Sequence, residues 1–139
     1  MTWGDEGAQI EAFLADSPFA VVGASTQRAK YGNKILRCYV QNGRRAIPIN
    51  PSAGIIEGLD ARATLSDVEE PIHGVSIITP PEVTEEVLEE IIALGIEHVW
   101  MQPGAESSRA VERAREAGLN CIAGGACLLV VLGYREHVF

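Results

Sequence analysis

The chain has 139 residues, of which 47% are hydrophobic and 22% charged, and its formal net charge is −8. This length and composition are typical of one soluble globular domain, and the acidic balance argues against a sequence-independent nucleic-acid binder, whose affinity rests on clustered Lys and Arg. The longest apolar run is far too short to span a bilayer, and the first residues lack the features of a signal peptide, so we expect a cytoplasmic protein without nucleic-acid or membrane partners.

In the first half of the chain, short apolar runs alternate with helical stripes. The pattern predicts a helix over residues 9–15, a buried strand over Phe19–Val22, a helix over about residues 32–41 and a strand over Ala46–Ile49. Residues 51–65 are rich in glycine and turn formers and predict a small excursion that carries Ile55 and Ile56. A helical turn over residues 66–69 follows, with Ser66 or Asp67 as its cap.

The second half continues the alternation. It predicts strands over residues 75–79, 99–101 and 121–123, with helices over residues 82–94 and 107–117 between them. The apolar residues 127–132 form either a terminal strand or a buried helical turn. Strands that alternate with helices indicate βαβ units, so we expect a single Rossmann-like α/β domain over residues 1–139, with its core at about residues 17–132. Its mostly parallel sheet of about five strands is expected to have helices on both faces, in three layers.

Ligands of an open parallel sheet bind beyond the carboxyl ends of the strands, at the switch point of the strand order. The loop from Gly23 to Tyr31 leaves the first buried strand and opens a helix, as a phosphate-binding loop does. A glycine permits the tight turn, two hydroxyls offer donors and two cations neutralise phosphate charge. These residues are Gly23, Ser25, Thr26, Arg28 and Lys30. A plain strand-to-helix turn with both cations in solvent is the alternative.

The loop is not the dinucleotide fingerprint G-x-G-x-x-G, because Ser25 and Arg28 stand where its second and third glycines belong. An enzyme that uses NAD also needs an acidic residue at the end of the second strand, to bind the ribose hydroxyls. Asn50 and Pro51 occupy that place. NAD(P) is therefore disfavoured as the cofactor, and other nucleotides stay open.

Four segments, taken in order, resemble the stand-alone CoA-binding domain proteins, which are similar to the N-terminal CoA-binding domain of the succinyl-CoA synthetase alpha subunit. They read Phe19-Ala-Val-Val-Gly-Ala-Ser25, Ile49-Asn-Pro51, Ile78-Thr-Pro-Pro81 and Val99-Trp-Met-Gln-Pro-Gly-Ala105. The resemblance covers about residues 19–131, and the Trp-Met-Gln-Pro-Gly string is its most specific part. It implies a Rossmann-like fold and a small-molecule nucleotide ligand, coenzyme A or an acyl-CoA.

The resemblance also implies which residues hold the ligand. By position, these are Gly23, Ala24, Ser25 and Thr26 around the ADP phosphates, Asn50 and Pro51 beside the nucleotide, Ile78, Thr79 and Pro80 along adenine and ribose, and Gln102, Pro103 and Gly104 along the pantetheine arm. The synthetase reaction is not implied, because no histidine matches the phosphorylated one. His73 and His98 are expected at the opposite end of the sheet, and His137 in a tail.

No nucleophile with an adjacent base, no pair of carboxylates and no metal-ligand cluster stands out, so no catalytic residue is predicted and a binding module is favoured. Cys127 follows a Gly-Gly turn on the ligand side. It is either a reactive thiol or, since no cation or histidine adjoins it, a buried apolar cysteine. Two alternatives stay open: an NAD(P)-dependent oxidoreductase or acyl-CoA transforming enzyme, and a regulatory protein-interaction domain. Residues 127–132 either cap the core or contribute to a homodimer.

Overall fold

Seven strands form in the computed structural model, which describes residues 3–136. They are β1 (Phe19–Val22), β2 (Ala46–Ile49), β3 (Ile55–Ile56), β4 (Leu59–Asp60), β5 (Gly74–Ile77), β6 (His98–Met101) and β7 (Asn120–Ile122). Five of them form one parallel sheet in the order β2-β1-β5-β6-β7, while β3 and β4 make a separate antiparallel hairpin. Every residue of the five parallel strands is buried, which explains why most of these residues are apolar and do not alternate with exposed polar ones.

The strand order reverses beside β1. Val22, at the end of β1, pairs with Ile49 of β2 on one side and with Ile77 of β5 on the other. The chain leaves β1 toward β2 and later crosses to the other side of β1, where it continues through β5, β6 and β7. The switch point therefore lies between β1 and β5, and a crevice opens beyond their carboxyl ends.

Four helices cover the two faces of the sheet: α1 (Glu6–Leu14), α2 (Tyr31–Gln41), α3 (Pro81–Ala93) and α4 (Ser108–Glu116). On one face, α1 and α2 pack with Phe13 and Tyr39 against Phe19 and Trp100 of the sheet. On the other, α3 and α4 bury residues such as Leu88. The predicted three-layer Rossmann-like α/β fold with a sheet of five parallel strands is confirmed.

Several element boundaries differ from the predicted ones. The third parallel strand ends at Ile77 rather than at residue 79, and the first helix begins at Glu6 because the Asp5 side chain accepts a hydrogen bond from the Ala8 amide. The predicted helical turn is a 3₁₀ turn over Leu65–Asp67, and its cap is Thr64 rather than Ser66 or Asp67. Asp67 completes a capping box with Thr64.

The predicted strand or buried helical turn at residues 127–132 is instead a π-helical turn over Leu129–Gly133. Leu128 is fully buried, whereas Val130 is 80% exposed. The turn lies against α2, and only part of this apolar segment joins the core; its role in a homodimer stays a prediction. Within residues 3–136, no helix combines the length and the apolar character needed to cross a membrane.

Candidate functional site

Two glycines fix the path of the β1–α2 loop (residues 23–30). Gly23 has a φ of +96°, and a Cβ there would clash with the carbonyl oxygen of Ile78. Gly32, in the first turn of α2, has no room for a Cβ either, because the carbonyl oxygen of Gly23 lies against it. The loop therefore turns tightly at the switch point and brings the start of α2 directly over the end of β1.

Side chains hold the rest of the loop in shape. The Ser25 hydroxyl accepts a hydrogen bond from the Gln27 amide at 3.0 Å, and the Asn33 side chain donates to the Ser25 carbonyl at 2.8 Å. Asn50, from the end of β2, donates to the Ala24 carbonyl at 2.9 Å. Its side-chain oxygen accepts from the amides of the two residues after Pro51. Asn50 thus fastens the β1–α2 loop to the end of β2.

A cavity of about 420 Å³ opens beyond the carboxyl ends of β1, β2 and β5. Five of the sequence-predicted site residues line it: Gly23, Ala24, Asn50, Pro51 and Thr79. The remaining wall comes mostly from the 3₁₀ turn and from α3, through Thr64, Leu65, Val83, Val87 and Glu90. Apolar groups dominate this lining, and its size lies within the range of small-molecule pockets.

The predicted site residues did not include these wall residues. In the sequence, Val83 and Val87 belong to the apolar stripe of α3. Core residues and cavity-lining residues of this stripe are alike apolar and share its helical spacing, so the stripe carries no signal that separates them.

A second cavity, of about 210 Å³, adjoins the first through Thr79. It lies between the segments that follow β5 and β6, and its lining includes five predicted site residues: Ile78, Thr79, Pro80, Pro103 and Gly104. The amide of Ile78 donates to Val22 at 2.8 Å, and the amide of Gln102 donates to Ile77 at 3.0 Å. The ladder of parallel hydrogen bonds thus continues past the strands and holds these segments side by side.

Other predicted residues lie apart from the two cavities. Thr26, Arg28 and Lys30 are exposed on the outer part of the β1–α2 loop. Gln102 is fully buried, and its side-chain oxygen accepts a hydrogen bond from the Leu128 amide at 3.0 Å. Among the described residues, the Gln102 side-chain nitrogen has no hydrogen-bond partner. The Gln102 side chain therefore anchors the C-terminal segment rather than facing open space.

Tyr31 links the loop to Cys127. Its hydroxyl lies 2.6 Å from the Cys127 sulfur and donates to the Gln102 side-chain oxygen at 3.3 Å. Burial, followed by the hydrogen bond to Cys127, raises the pKa of Tyr31 well above its ordinary value. The sequence around Cys127 contains no sign of this partner, because the two residues are 96 positions apart. Cys127 is half-buried, and the structure brings a neutral phenol to it.

The cleft between α3 and α4 does not suit an anion. A larger cleft of about 680 Å³ lies between α3 and α4, and acidic side chains dominate its lining: Glu82, Glu85, Glu86, Glu89, Glu112 and Glu116, with Arg109 and Arg113. Repulsion by these carboxylates disfavours a phosphate there. No group of His, Cys, Asp and Glu side chains within residues 3–136 is arranged to hold a metal ion.

The two histidines at the opposite edge pair with each other. His73 precedes β5 and His98 begins β6, with ring centroids 4.4 Å apart. They lie at the amino ends of their strands, as expected, and so away from both cavities. His137 lies outside the described residues.

The sequence matches the family described as the CoA binding domain over residues 17–133. The chain belongs to this family. The family resemblance drawn from the four segments is thereby confirmed. Residues 17–133 include all four segments and every residue of the candidate site.

Individual relatives of this CoA-binding domain are small proteins or parts of larger ones. The uncharacterized protein YneT of Bacillus subtilis is 27% identical over 116 residues, which make up 83% of this chain and 86% of that protein. A conserved hypothetical protein from Pyrococcus furiosus superposes with a TM-score of 0.79 at 33% identity, over 84% of this chain and 99% of the other.

A longer protein contains a similar region. It is the dinucleotide forming acetyl-coenzyme A synthetase 1 of Ca. Korarchaeum cryptofilum, in complex with phosphate and ADP. The TM-score is 0.73 at 27% identity, and the match covers 82% of this CoA-binding domain chain but 27% of the synthetase chain. The likeness thus concerns one region of that enzyme.

Proposed function

We propose that this protein binds coenzyme A or an acyl-CoA at the carboxyl edge of its sheet and contributes no catalytic residue of its own. The observation that carries the proposal is the pair of adjoining cavities at the switch point, which meet at Thr79 beside the tightly closed β1–α2 loop. Membership of the CoA-binding domain family supports coenzyme A as the ligand.

The shape of the site suits a long ligand with one flat end. The adenine ring fits the apolar cavity of about 420 Å³, between Pro51 and the α3 side chains Val83 and Val87. The ADP phosphates lie along the β1–α2 loop, where backbone amides, the start of α2 and the cation Arg28 favour negative charge. The pantetheine arm runs over Thr79 toward the second cavity, which Pro103 and its neighbours line. Thr79 then lies beside this arm, whereas the family resemblance implies a place along adenine and ribose.

The side-chain contacts of Asn50 disfavour NAD. The residue at the end of the second strand of an NAD enzyme accepts hydrogen bonds from the ribose hydroxyls through a carboxylate. The Asn50 oxygen already accepts from two backbone amides, and its nitrogen donates to Ala24. No acceptor of the NAD type is thus left at this position.

Isothermal titration and thermal unfolding with coenzyme A, acetyl-CoA, ADP, NAD and NADP test the proposal. A ligand present at 100 times its dissociation constant stabilises the folded state by about 2.7 kcal/mol, so a CoA thioester is expected to raise the unfolding temperature clearly. Stabilisation by NAD without stabilisation by coenzyme A would overturn the proposal.

The Ser25→Asp variant tests the loop assignment, with Ser108→Asp as its control. Both add one negative charge, but Ser25 lies in the β1–α2 loop, while Ser108 is exposed at the start of α4. We expect Ser25→Asp to fold and to lose the stabilisation by coenzyme A, because a carboxylate there repels the phosphates. Equal stabilisation of both variants would show that the phosphates bind elsewhere.

A further inference from the structure

The turn between β3 and β4 contains a glutamate in an unusual backbone conformation. Glu57 has a φ of +50° and Gly58 a φ of +77°, so both central residues lie in the left-handed region, where such turns ordinarily use Asn, Asp or Gly. Glu57 nevertheless directs its side chain inward, and that side chain is only 17% exposed. Glu57 thus combines an unfavourable backbone conformation with a largely buried carboxylate.

The partners of this carboxylate belong to the proposed phosphate site. A side-chain oxygen of Glu57 accepts a hydrogen bond from the Asn33 side chain at 3.1 Å and lies 3.6 Å from the Arg28 guanidinium nitrogen. Arg28 lies in the β1–α2 loop, and Asn33 lies in the first turn of α2. A donor and a cation at a loop that opens a helix are the groups that bind a phosphate.

A buried arginine orients these groups. Arg37 is 2% exposed; it donates to the Asn33 side-chain oxygen at 2.7 Å and to the Arg28 carbonyl at 2.8 Å. With its oxygen held by Arg37, the Asn33 amide must direct its NH₂ group at Ser25 and Glu57. The donor that Glu57 uses is therefore preorganised, and it would serve another anion equally well.

We infer that Glu57 occupies the anion position of the β1–α2 loop in the free protein, and that a phosphate group of the ligand displaces it. Glu57 then lowers the affinity of the β1–α2 loop for anions. The inference rests on the proposed function. A phosphate bound by Asn33 and Arg28 would lie beside this carboxylate, and the two negative charges would repel each other. The phosphate and the carboxylate therefore compete for the same donor and the same cation. The ligand must replace the carboxylate before it gains those contacts.

The displacement needs only a side-chain movement. Ile56, the neighbour of Glu57, is 1% exposed and holds the hairpin on the core, and the Ala61 amide donates to the Gly54 carbonyl across its base. The glutamate side chain, by contrast, has three rotatable bonds and lies at the turn of the hairpin, with 17% of its surface already exposed. The hairpin is therefore expected to stay in place while the carboxylate swings outward.

Isothermal titration of the full chain with inorganic pyrophosphate and, separately, with coenzyme A tests the inference. Glu57→Gln removes the charge and keeps the side-chain size, while Asp60→Asn removes the same charge from an exposed position on β4. We expect Glu57→Gln to bind pyrophosphate and coenzyme A about fivefold tighter or more. Asp60→Asn should stay within about twofold of the original protein, because an exposed charge is screened by solvent and salt.

A second variant guards against misfolding of the first. Glu57→Gly also removes the carboxylate, and glycine adopts the positive φ of this position without strain. It is expected to fold and to show the same gain in pyrophosphate affinity.

The possible outcomes separate the inference from the proposed function. Four results would each overturn the inference. They are equal affinities in all variants, equal tightening in Glu57→Gln and Asp60→Asn, weaker binding in Glu57→Gln, and no pyrophosphate binding by any variant. Tighter pyrophosphate binding by Glu57→Gln, with no coenzyme A binding by any of the proteins, would support the inference and overturn the proposed function.

Discussion

The hydroxyl of Tyr31 lies 2.6 Å from the sulfur of Cys127 and joins the start of α2 to the C-terminal segment. The same hydroxyl also donates to the Gln102 side-chain oxygen, at 3.3 Å. The same Gln102 oxygen accepts the Leu128 amide. These hydrogen bonds thus connect the start of α2 with the segments that follow β6 and β7.

The double-mutant cycle of Tyr31→Phe and Cys127→Ala measures this link. Tyr31→Phe removes the hydroxyl and its contacts with Cys127 and Gln102, and is expected to lower the free energy of unfolding by about 0.5–1.5 kcal/mol. Because both substitutions remove the same contact, the double variant should lose less than the sum of the two single losses. Urea unfolding of the four proteins gives the coupling energy. Strict additivity would show that the contact contributes nothing.

The three cysteines are expected to react at different rates. Cys38 and Cys121 are buried, and burial raises the pKa of each thiol to about 11. Cys127 is only half-buried. In the folded protein, iodoacetamide should therefore modify Cys127 first, since the thiolate is the nucleophile and the other two thiols are both covered and protonated.

Peptide mass spectrometry over a time course checks this order, with protein unfolded in urea as the control in which all three residues react. Modification of Cys38 or Cys121 as fast as Cys127 in the folded state would contradict the burial that the structure shows.

The parallel strands and the edge at which a ligand would bind were predictable because both follow from local patterns. The run Phe19–Val22 is apolar throughout, as a strand covered on two faces must be, and the glycine after it marks the turn. The segments after β1 and β5 then meet through the bond between Ile78 and Val22, as the rule for parallel sheets requires.

The remaining features depend on contacts between distant residues. Glu57 has a backbone conformation that its residue type disfavours, so propensity gave no reason to place it beside Arg28. Gln102 was expected along the pantetheine arm of the ligand, yet its side chain is buried by a C-terminal segment whose position no local pattern fixes. Val83 has the spacing of a core residue, and only the assembled fold shows that it lines a cavity.

Gly32→Ala tests the close approach of α2 to β1. An added Cβ would clash with the Gly23 carbonyl oxygen, and backbone on both sides must shift to accept it. We expect a loss of about 1–3 kcal/mol in the free energy of unfolding. Stabilisation by coenzyme A should fall as well, because the displaced loop changes the proposed phosphate site.

Gly54→Ala is the matched control. A Cβ at Gly54 meets no atom within 4 Å, and this glycine is not among those with a positive φ. Its unfolding free energy should therefore rise slightly or stay unchanged, since alanine restricts the unfolded chain. Equal losses in Gly32→Ala and Gly54→Ala would show that the approach of α2 is not tight.

The stability of the fold should depend on pH through the histidine pair. Burial, followed by the nearby His73, lowers the pKa of His98 from its ordinary value of 6.5, while the Glu97 charge acts in the opposite direction. The His98 ring also accepts a hydrogen bond from the Asn120 side chain at 3.0 Å, which only the neutral ring can do.

The direction of the pH dependence follows from the lowered pKa of His98. Above pH 6.5, His98 is neutral in both the folded and the unfolded chain and contributes no pH dependence. As the pH falls below 6.5, the unfolded chain binds a proton first, so the free energy of unfolding decreases until the folded pKa is reached. The lowered pKa values of Glu69 and Glu70 act only below about pH 4.5, so they do not contribute to a decrease between pH 6.5 and pH 5.

Urea unfolding between pH 5 and pH 8 measures this decrease, and His98→Gln should flatten it because glutamine does not titrate. His73→Gln should reduce the decrease only in part, since burial is the larger cause of the shift at His98. Any loss of packing in His98→Gln lowers the whole curve without changing its slope, which separates the structural cost from the protonation effect. An unchanged slope in His98→Gln would assign the pH dependence to another group.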